Sequence, residues 1–226
     1  MLRRISPLLT NSLPRRHIKA IATEDTFQVT DYNVLMVSFS EYVSSQNHIV
    51  ESSDNTFVMD SLIECIWDLS KDPSSVVFTA GNGGSASTAE HFSADLGQME
   101  KRTGHEVRSV CLNSQMALNS ALANDLNYEN AITTQLSSFK NFNYILVIFS
   151  ASGNSKNMLN AIKFSLEKNK KVYCFVGFNG GEIVDIKKAN SVYFPDVNKN
   201  YGLVENLHLM ASHYIVDRLV EKFQEI

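Results

Sequence analysis

A glycine-rich turn in this chain leads directly into a segment that carries a histidine and a carboxylate four residues apart. The stretch reads AGNGGSASTAEHFSADLG, Ala80–Gly97, and the pair is His91 and Asp95. Glycines let the backbone approach an anion closely, and the free N–H groups that open a helix attract phosphate. Residues four apart on a helix share one face, where they can transfer protons or hold a metal ion. The stretch therefore predicts a site that binds a phosphorylated molecule and acts on it.

A second turn of similar chemistry follows another apolar segment. Ser150-Ala-Ser-Gly-Asn-Ser155 comes after Asn143–Phe149, just as Gly81-Asn-Gly-Gly-Ser85 comes after Ser75–Ala80. Serine hydroxyls add hydrogen-bond donors without adding charge. Either turn alone is also compatible with a plain strand-to-helix connection and an N-cap. Because ligands bind beyond the carboxyl ends of parallel strands, the two turns together favour an anion site.

Two other phosphate-binding motifs fit less well. The first turn matches a G-x-G-x-x-A dinucleotide motif through Gly81, Gly83 and Ala86. That motif expects an acidic residue at the end of the next strand to bind a ribose hydroxyl. The next predicted strand ends in Cys111-Leu-Asn113, without an acid, which weakens this interpretation. A P-loop is excluded because no lysine follows the glycines.

The elements that must position these residues alternate between strands and helices. The predicted strands are apolar throughout, which indicates a parallel sheet with helices on both faces. They are Ser75–Ala80, Val107–Leu112, Asn143–Phe149, Lys171–Val176 and Ser191–Phe194. The predicted helices are Tyr32–Ile49, Phe57–Leu69, Ser85–Gln98, Gln115–Ala123, Tyr128–Phe139, Asn157–Glu167, Glu182–Lys188 and Gly202–Phe223. The expected fold class is therefore α/β: a single domain over residues 31–226, with a five-stranded parallel sheet and an N-terminal helical prefix.

Composition narrows the class of protein. A net charge of −4 gives no reason to expect a nucleic acid partner. No apolar run approaches the roughly 18 residues that a membrane span needs. The three cysteines form no CxxC pair and are typical of reduced thiols in the cytoplasm. Residues 1–30 form a basic leader, predicted to be flexible, with no acid before Glu24. We expect a cytoplasmic protein, and a transit peptide to an organelle is the alternative.

Taken together, the motifs resemble the sugar isomerase (SIS) domain family, and within it the phosphoheptose isomerases. The resemblance rests on GNGGSA and the following HF between residues 81 and 92, and on SASGNS at 150–155. Asn124-Asp125, GFNGGEI at 177–183 and the spacing of the final helix extend it over most of Asp31–Phe223. It implies an aldose–ketose isomerase that converts sedoheptulose 7-phosphate into D-glycero-manno-heptose 7-phosphate by enediol proton transfer.

The resemblance also implies the site residues. Asp95 is the expected base and His213 its acid–base partner. Many members bind zinc, and the ligands expected here are His91, Asp95, Glu205 and His213, whose two carboxylates would neutralise the ion. The expected substrate contacts are Asn82, Gly83, Gly84, Ser85, Asn124, Asp125, Ser150, Ala151, Ser152, Ser155 and Glu205. Members usually form homotetramers with sites at the subunit interfaces, and we expect the same assembly here.

Three residues depart from the phosphoheptose isomerase pattern: Asp95 replaces Glu, Glu205 replaces Gln and Ala151 replaces Thr. The side chain of Asp95 is one methylene shorter, so the backbone or a different substrate pose must bring its carboxylate closer. Two functions therefore stay open beside the heptose isomerase. One is an isomerase of another ketose phosphate, and the other is a non-catalytic SIS module that binds a phosphosugar or a protein partner. Asp95 and His213 can both transfer protons, which favours an enzyme.

Overall fold

A computed structural model describes residues 38–225 of the chain. Within them, a five-stranded sheet runs in the order β2-β1-β3-β4-β5, and every neighbouring pair is parallel. The strands are β1 Ser75–Gly81, β2 Ser109–Cys111, β3 Asn143–Ser150, β4 Lys171–Phe178 and β5 Asn190–Pro195. The α/β class and the five-stranded parallel sheet expected from the sequence are confirmed.

Helices cover the sheet and connect its strands. Those before β2 are α1 Phe39–Glu51, α2 Thr56–Ser70, α3 Gly84–Gly97 and α4 Met99–Thr103. Those after it are α5 Met116–Asp125, α6 Ala131–Ser137, α7 Lys156–Glu167 and α8 Tyr201–Gln224, with a 3-10 turn at Tyr128–Asn130. None of the helices within residues 38–225 has the length and apolar character needed to cross a membrane.

The central strand β3 contributes alternate residues to two separate hydrophobic clusters. Ile145, Val147 and Phe149 join the cluster that contains residues of α2, α3 and α8. Leu146 and Ile148 join the second cluster, with residues of α6 and α7. Because successive side chains of a strand point to opposite faces, an unbroken apolar strand is buried only when both faces are covered. The sheet therefore has helices on both faces, as predicted.

The two polar turns meet where the strand order reverses. β2 lies beside β1, whereas β4 lies beside β3, so the chain leaves these two central neighbours in opposite directions. In open α/β sheets, the crevice that binds ligands forms outside the carboxyl ends of the strands at such a point. The turns at 82–84 and 151–155 directly follow β1 and β3. The fold thus places both halves of the predicted phosphate site at adjacent strand ends.

Some predicted elements differ from the structure. The helix expected over 182–188 is wrong, because this segment forms consecutive turns. The N–H groups of Glu182 and Ile183 donate to Asn154 Oδ1 and to the Gly153 carbonyl, so the loop after β3 holds the segment. The short helix α4 was not predicted, and the helix expected over 128–139 divides into the 3-10 turn and α6. The leader at 1–30 and the start of the first predicted helix lie outside the described residues.

Candidate active site

The turn after β1 enters α3 through a glycine that caps the helix without a side chain. Gly83 has φ of +55°, a conformation that favours glycine, and is the N-cap of α3. The first N–H groups of a helix need partners from outside the helix. One of them, on Ser85, hydrogen bonds the carboxylate of Glu205 from α8. That carboxylate lies so close to Gly84 that a Cβ there would collide with it. The carboxylate of Glu205 therefore occupies the space at the N-terminus of α3 and accepts a hydrogen bond there.

The turn after β3 runs from buried Ser150 and Ala151 to Ser155, the N-cap of α7. Ser155 makes no side-chain cap for its helix, whereas the Ser152 hydroxyl accepts from Asn154 N at 3.3 Å. Gly153 has φ of +65°, and its backbone lies against Gly180, so that a Cβ would collide there as well. The hydroxyl of Ser155, which does not cap α7, therefore lies at the N-terminal end of this helix, where it could bind a ligand.

Three side chains from α3 and α8 converge on one another. Nε2 of His91 lies 3.2 Å from Nε2 of His213. Oδ2 of Asp95 lies 3.4 Å from His91 Nε2 and 3.9 Å from His213 Nε2. The two imidazoles are about half exposed, whereas the Asp95 side chain is only 12% exposed. The structure therefore joins the two predicted catalytic residues and His91 in one cluster that a ligand can reach.

The three ligand atoms fit a zinc ion. They all lie within 4.8 Å of one another. Zinc binds nitrogen and oxygen at about 2.1 Å in a tetrahedron, which sets neighbouring ligand atoms about 3.4 Å apart. The spacings of 3.2, 3.4 and 3.9 Å between His91, Asp95 and His213 are close to that value. Two imidazoles and one carboxylate also leave one coordination position open, as catalytic zinc sites do.

Glu205 does not join this cluster. It precedes His213 by eight residues on α8, which places the two about 12 Å apart along the helix axis. Glu205 therefore meets the start of α3 at Gly84, while His213 meets His91 and Asp95 further along the same helix. The structure thus divides the four expected zinc ligands into a group of three and a separate carboxylate. Burial raises the pKa of Glu205, and the hydrogen bond from Ser85 N–H offsets part of that effect.

Arg102, which the sequence analysis did not single out, contacts the expected base. Its Nη2 lies 3.4 Å from Oδ1 of Asp95, the oxygen not involved in the contacts with the histidines. Arg102 lies on α4, the helix that the sequence pattern did not reveal. The two carboxylate oxygens of Asp95 therefore have different partners, a guanidinium on one side and two imidazoles on the other.

The other expected contacts lie at two places. Asn82 belongs to the first turn, where its side chain bonds to Asn157 and Tyr128, neither of which was predicted to be functional. Asn124 and Asp125 lie in the last turn of α5, both exposed, and Asn124 Nδ2 donates to Asp125 Oδ1 at 3.0 Å. A contact between Asn124 or Asp125 and a substrate stays a prediction.

Both the sequence and the fold match known proteins. The model of the SIS domain family matches residues 41–177. A phosphoheptose isomerase from Neisseria meningitidis serogroup C is 30% identical over 157 residues, which cover 69% of this chain and 77% of that protein. A phosphoheptose isomerase from Shewanella halifaxensis is 24% identical over 184 residues, covering 80% of this chain and 91% of that protein.

Solved structures agree on the fold. The phosphoheptose isomerase of Neisseria gonorrhoeae superposes with a TM-score of 0.69 at 23% identity, covering 80% of this chain and 94% of that one. The phosphoheptose isomerase of Francisella tularensis gives the same TM-score at 19% identity, covering 80% of this chain and 96% of that one. These matches establish a shared α/β architecture over most of the chain.

Proposed function

Because the chain belongs to the SIS domain family and is a phosphosugar isomerase, we propose that it converts sedoheptulose 7-phosphate into D-glycero-manno-heptose 7-phosphate. The observation that carries the proposal is the convergence of His91, Asp95 and His213 within one domain that also carries the two polar turns. The relatives named phosphoheptose isomerases support the heptose as the sugar.

The chemistry is a proton transfer through an enediol, which needs a base at carbon and an acid at oxygen. The Asp95 carboxylate takes the proton from C1 of the ketose while His213 donates a proton to the carbonyl oxygen on C2, forming the enediol. His213 then takes the proton of the C1 hydroxyl, and Asp95 returns its proton to C2, which leaves the aldose. The 3.9 Å between Asp95 Oδ2 and His213 Nε2 lets both groups act on adjacent atoms of one substrate.

The two proton transfers use Asp95 Oδ2 and His213 Nε2 free of metal, because an atom that binds zinc cannot carry a proton at the same time. Zinc is the proposed cofactor, and His91, Asp95 and His213 would hold it. When bound, it supplies a Lewis acid that polarises the carbonyl and stabilises negative charge on the enediolate. Arg102 contacts Oδ1 of Asp95, and Oδ2 of the same carboxylate faces the two histidines.

The two turns are the proposed cradle for the substrate. Ser150, Ala151, Ser152 and Ser155 lie between the end of β3 and the start of α7, where N–H groups and hydroxyls suit a phosphate. Asn82, Gly83, Gly84 and Ser85 form the other side, with Glu205 at the start of α3. We propose that Asn124 and Asp125 complete the site in a homotetramer, and that the protein acts in the cytoplasm.

An isomerase of another ketose phosphate is the second candidate, and Glu205 is the observation that favours it. An ionised carboxylate only accepts hydrogen bonds, whereas the glutamine of phosphoheptose isomerases also donates. A carboxylate at this place therefore selects for sugar hydroxyls that donate to it.

The experiment compares three substrates with purified protein, with and without zinc. Sedoheptulose 7-phosphate, fructose 6-phosphate and ribulose 5-phosphate are incubated separately, and aldose formation is followed by NMR. The proposal expects the highest kcat/KM for sedoheptulose 7-phosphate and no turnover by Asp95→Asn, which controls for contaminating isomerases. A higher kcat/KM for a shorter ketose would assign the second function. Binding without turnover of any of the three would indicate a binding module.

A further inference from the structure

Three hydrogen bonds join Asn82, in the turn after β1, to Asn157 of α7 and to Tyr128 of the 3-10 turn. Asn157 Nδ2 donates to Asn82 Oδ1, and Asn82 Nδ2 donates back to Asn157 Oδ1, both at 2.9 Å. Tyr128 Oη donates to the same Asn82 Oδ1 at 2.7 Å. Asn157 is only 3% exposed, so its paired amide is protected from competing water. Asn82 is therefore held on two sides by side chains from different elements.

These bonds determine what Asn82 can offer a ligand. A carbonyl oxygen has two acceptor positions, and here Asn157 and Tyr128 occupy both of those on Asn82 Oδ1. The amide nitrogen has two hydrogens, of which Asn157 takes one. What remains on the side chain of Asn82 is one N–H group, which donates and does not accept.

We propose that Asn157 and Tyr128 are positioning residues, which hold Asn82 as a hydrogen-bond donor to an oxygen of the bound sugar phosphate. The proposal rests on the proposed function, because it takes the turn after β1 as part of the substrate cradle. Neither residue touches the substrate in this account. Each acts through Asn82, whose remaining N–H group would donate a hydrogen bond to a carbonyl or phosphate oxygen of the ligand.

The same hydrogen bonds hold the two halves of the cradle, the turn after β1 and the start of α7, in a fixed relative position. Asn82 directly follows β1, and Asn157 lies in the first turn of α7, two residues after Ser155. The 3-10 turn that carries Tyr128 is itself tied to α7, because Lys156 Nζ contacts Glu129 Oε1 at 3.0 Å. A site whose parts are fixed before binding loses less conformational freedom when the ligand arrives.

Tyr128 has a separate role from Asn157. Two asparagine amides that pair reciprocally satisfy each other equally well if both are turned over together. A phenolic hydroxyl is a stronger donor than acceptor, so the bond that Tyr128 donates to Asn82 Oδ1 favours the orientation that leaves the N–H group for the ligand. Because Tyr128 is 54% exposed, Tyr128→Phe removes this bond without opening a cavity in the core.

The test measures binding of sedoheptulose 7-phosphate by calorimetry in Asp95→Asn protein, so that no turnover interferes. We expect Tyr128→Phe to raise the Kd roughly three- to tenfold, the range given by loss of one hydrogen bond. Asn157→Asp, which replaces the donor by a carboxylate facing Asn82 Oδ1, raises the Kd further. The same change at Asn141, an exposed residue in the loop before β3, is the control and leaves the Kd unchanged.

A second background separates positioning from a general structural effect. If Tyr128 acts through Asn82, then Tyr128→Phe has no further effect on the Kd of protein that already carries Asn82→Ala. An equal loss in both backgrounds, or an unchanged Kd in Tyr128→Phe alone, overturns the proposal. If the Kd values follow the expected pattern but the wild-type protein does not isomerise the sugar phosphate, the inference stands and the proposed function is rejected.

Discussion

The carboxylate of Glu205 lies directly against the backbone of Gly84, at the first turn of α3. A negative charge is favourable at a helix N-terminus, where it meets unpaired N–H groups and the positive end of the helix dipole. The contact also joins α8 to the turn after β1. Glu205 therefore caps α3 in place of the side chain that Gly83 lacks.

Gly84→Ala is expected to destabilise the protein by about 1–3 kcal/mol, because the added Cβ displaces the Glu205 carboxylate. Gly97→Ala is the matched control, since it adds the same methyl group at the other end of α3, where it meets no other element among the described residues within 4 Å. It is expected to stabilise by about 0.5–1 kcal/mol. Urea unfolding measures both. Equal effects of the two substitutions would contradict the contact, whereas restored stability in Gly84→Ala with Glu205→Ala would support it.

Glu205 is also expected to make stability depend on pH. Burial of the Glu205 carboxylate outweighs its favourable hydrogen bond from Ser85 N–H and raises its pKa above the ordinary 4.5, so the folded protein binds this proton more tightly than the unfolded chain. The stability gained is fully present below about pH 4.5 and is lost as the pH rises through the raised folded pKa. Glu205→Gln, which carries no charge, is therefore expected to gain stability relative to wild type between about pH 4 and pH 8. Urea unfolding at pH 4 and pH 8 measures the free energy of unfolding of both proteins. A variant that is more stable than wild type at pH 4 only would contradict the prediction.

His208 is expected to weaken the fold in acid. It is fully buried beside Phe149, Phe175 and Phe194, with its ring centroid 6.0–6.1 Å from theirs. Burial lowers its pKa from 6.5 to about 4, and the backbone of Val176 opposes that shift only in part. The unfolded chain therefore binds a proton that the folded protein excludes, and stability falls as the pH drops from about 6.5 through about 4.

The loss attributable to His208 is about 3 kcal/mol over that range. His208→Leu cannot take up the proton, so its free energy of unfolding is expected to decline less between the same two pH values. His48→Gln, at an exposed position on α1, is the control and keeps the wild-type slope. Parallel pH profiles of wild type and His208→Leu in urea unfolding would refute this assignment.

Metal binding distinguishes three ligands from four. With Co²⁺ as a spectroscopic probe for zinc, we expect one ion per chain and loss of the tetrahedral absorption in His91→Ala and His213→Ala. Glu205→Gln is expected to keep the wild-type affinity, because Glu205 lies at Gly84, away from the cluster. Loss in Glu205→Gln as severe as in His91→Ala would show that Glu205 is a fourth ligand. Removal of the ion by a chelator, followed by zinc, tests whether activity returns.

The sheet was predictable because its three central strands are largely apolar segments that are buried over most of their length. The residues of β3 are buried on both faces, which places this strand between two helical layers. The pair His91 and Asp95 was predictable from its spacing on one helix. Tyr128 and Asn82, by contrast, are 46 residues apart, and their bond depends on how the 3-10 turn packs beside the first turn. No local pattern marks such a contact. Arg102 lies only seven residues after Asp95, but it reaches that carboxylate from α4, a helix that the sequence pattern did not reveal.

Glu205 illustrates a limit of spacing arguments. Two turns of helix separate it from His213, about 12 Å along the axis, which is compatible with a shared face but does not by itself bring both side chains to one ion. α8 instead lies alongside α3, so Glu205 meets the start of α3 at Gly84 and His213 meets His91 further along α3. The direction of one helix relative to another is decided by packing across the whole interface and is not encoded in the spacing of two residues.

The central claim is that Asp95 moves a proton between adjacent carbons of a ketose phosphate. The most direct measurement is isomerisation of sedoheptulose 7-phosphate in D2O, with deuterium at C2 of the aldose followed by NMR for wild type and Asp95→Asn. The Asp95 carboxyl can exchange its proton with D2O during the lifetime of the enediol, so the account predicts at least partial deuterium at C2 in the wild-type product. It also predicts a kcat roughly 10²- to 10⁴-fold lower in Asp95→Asn. Turnover by Asp95→Asn at the wild-type rate, or neither aldose nor deuterium exchange with wild type, would contradict it.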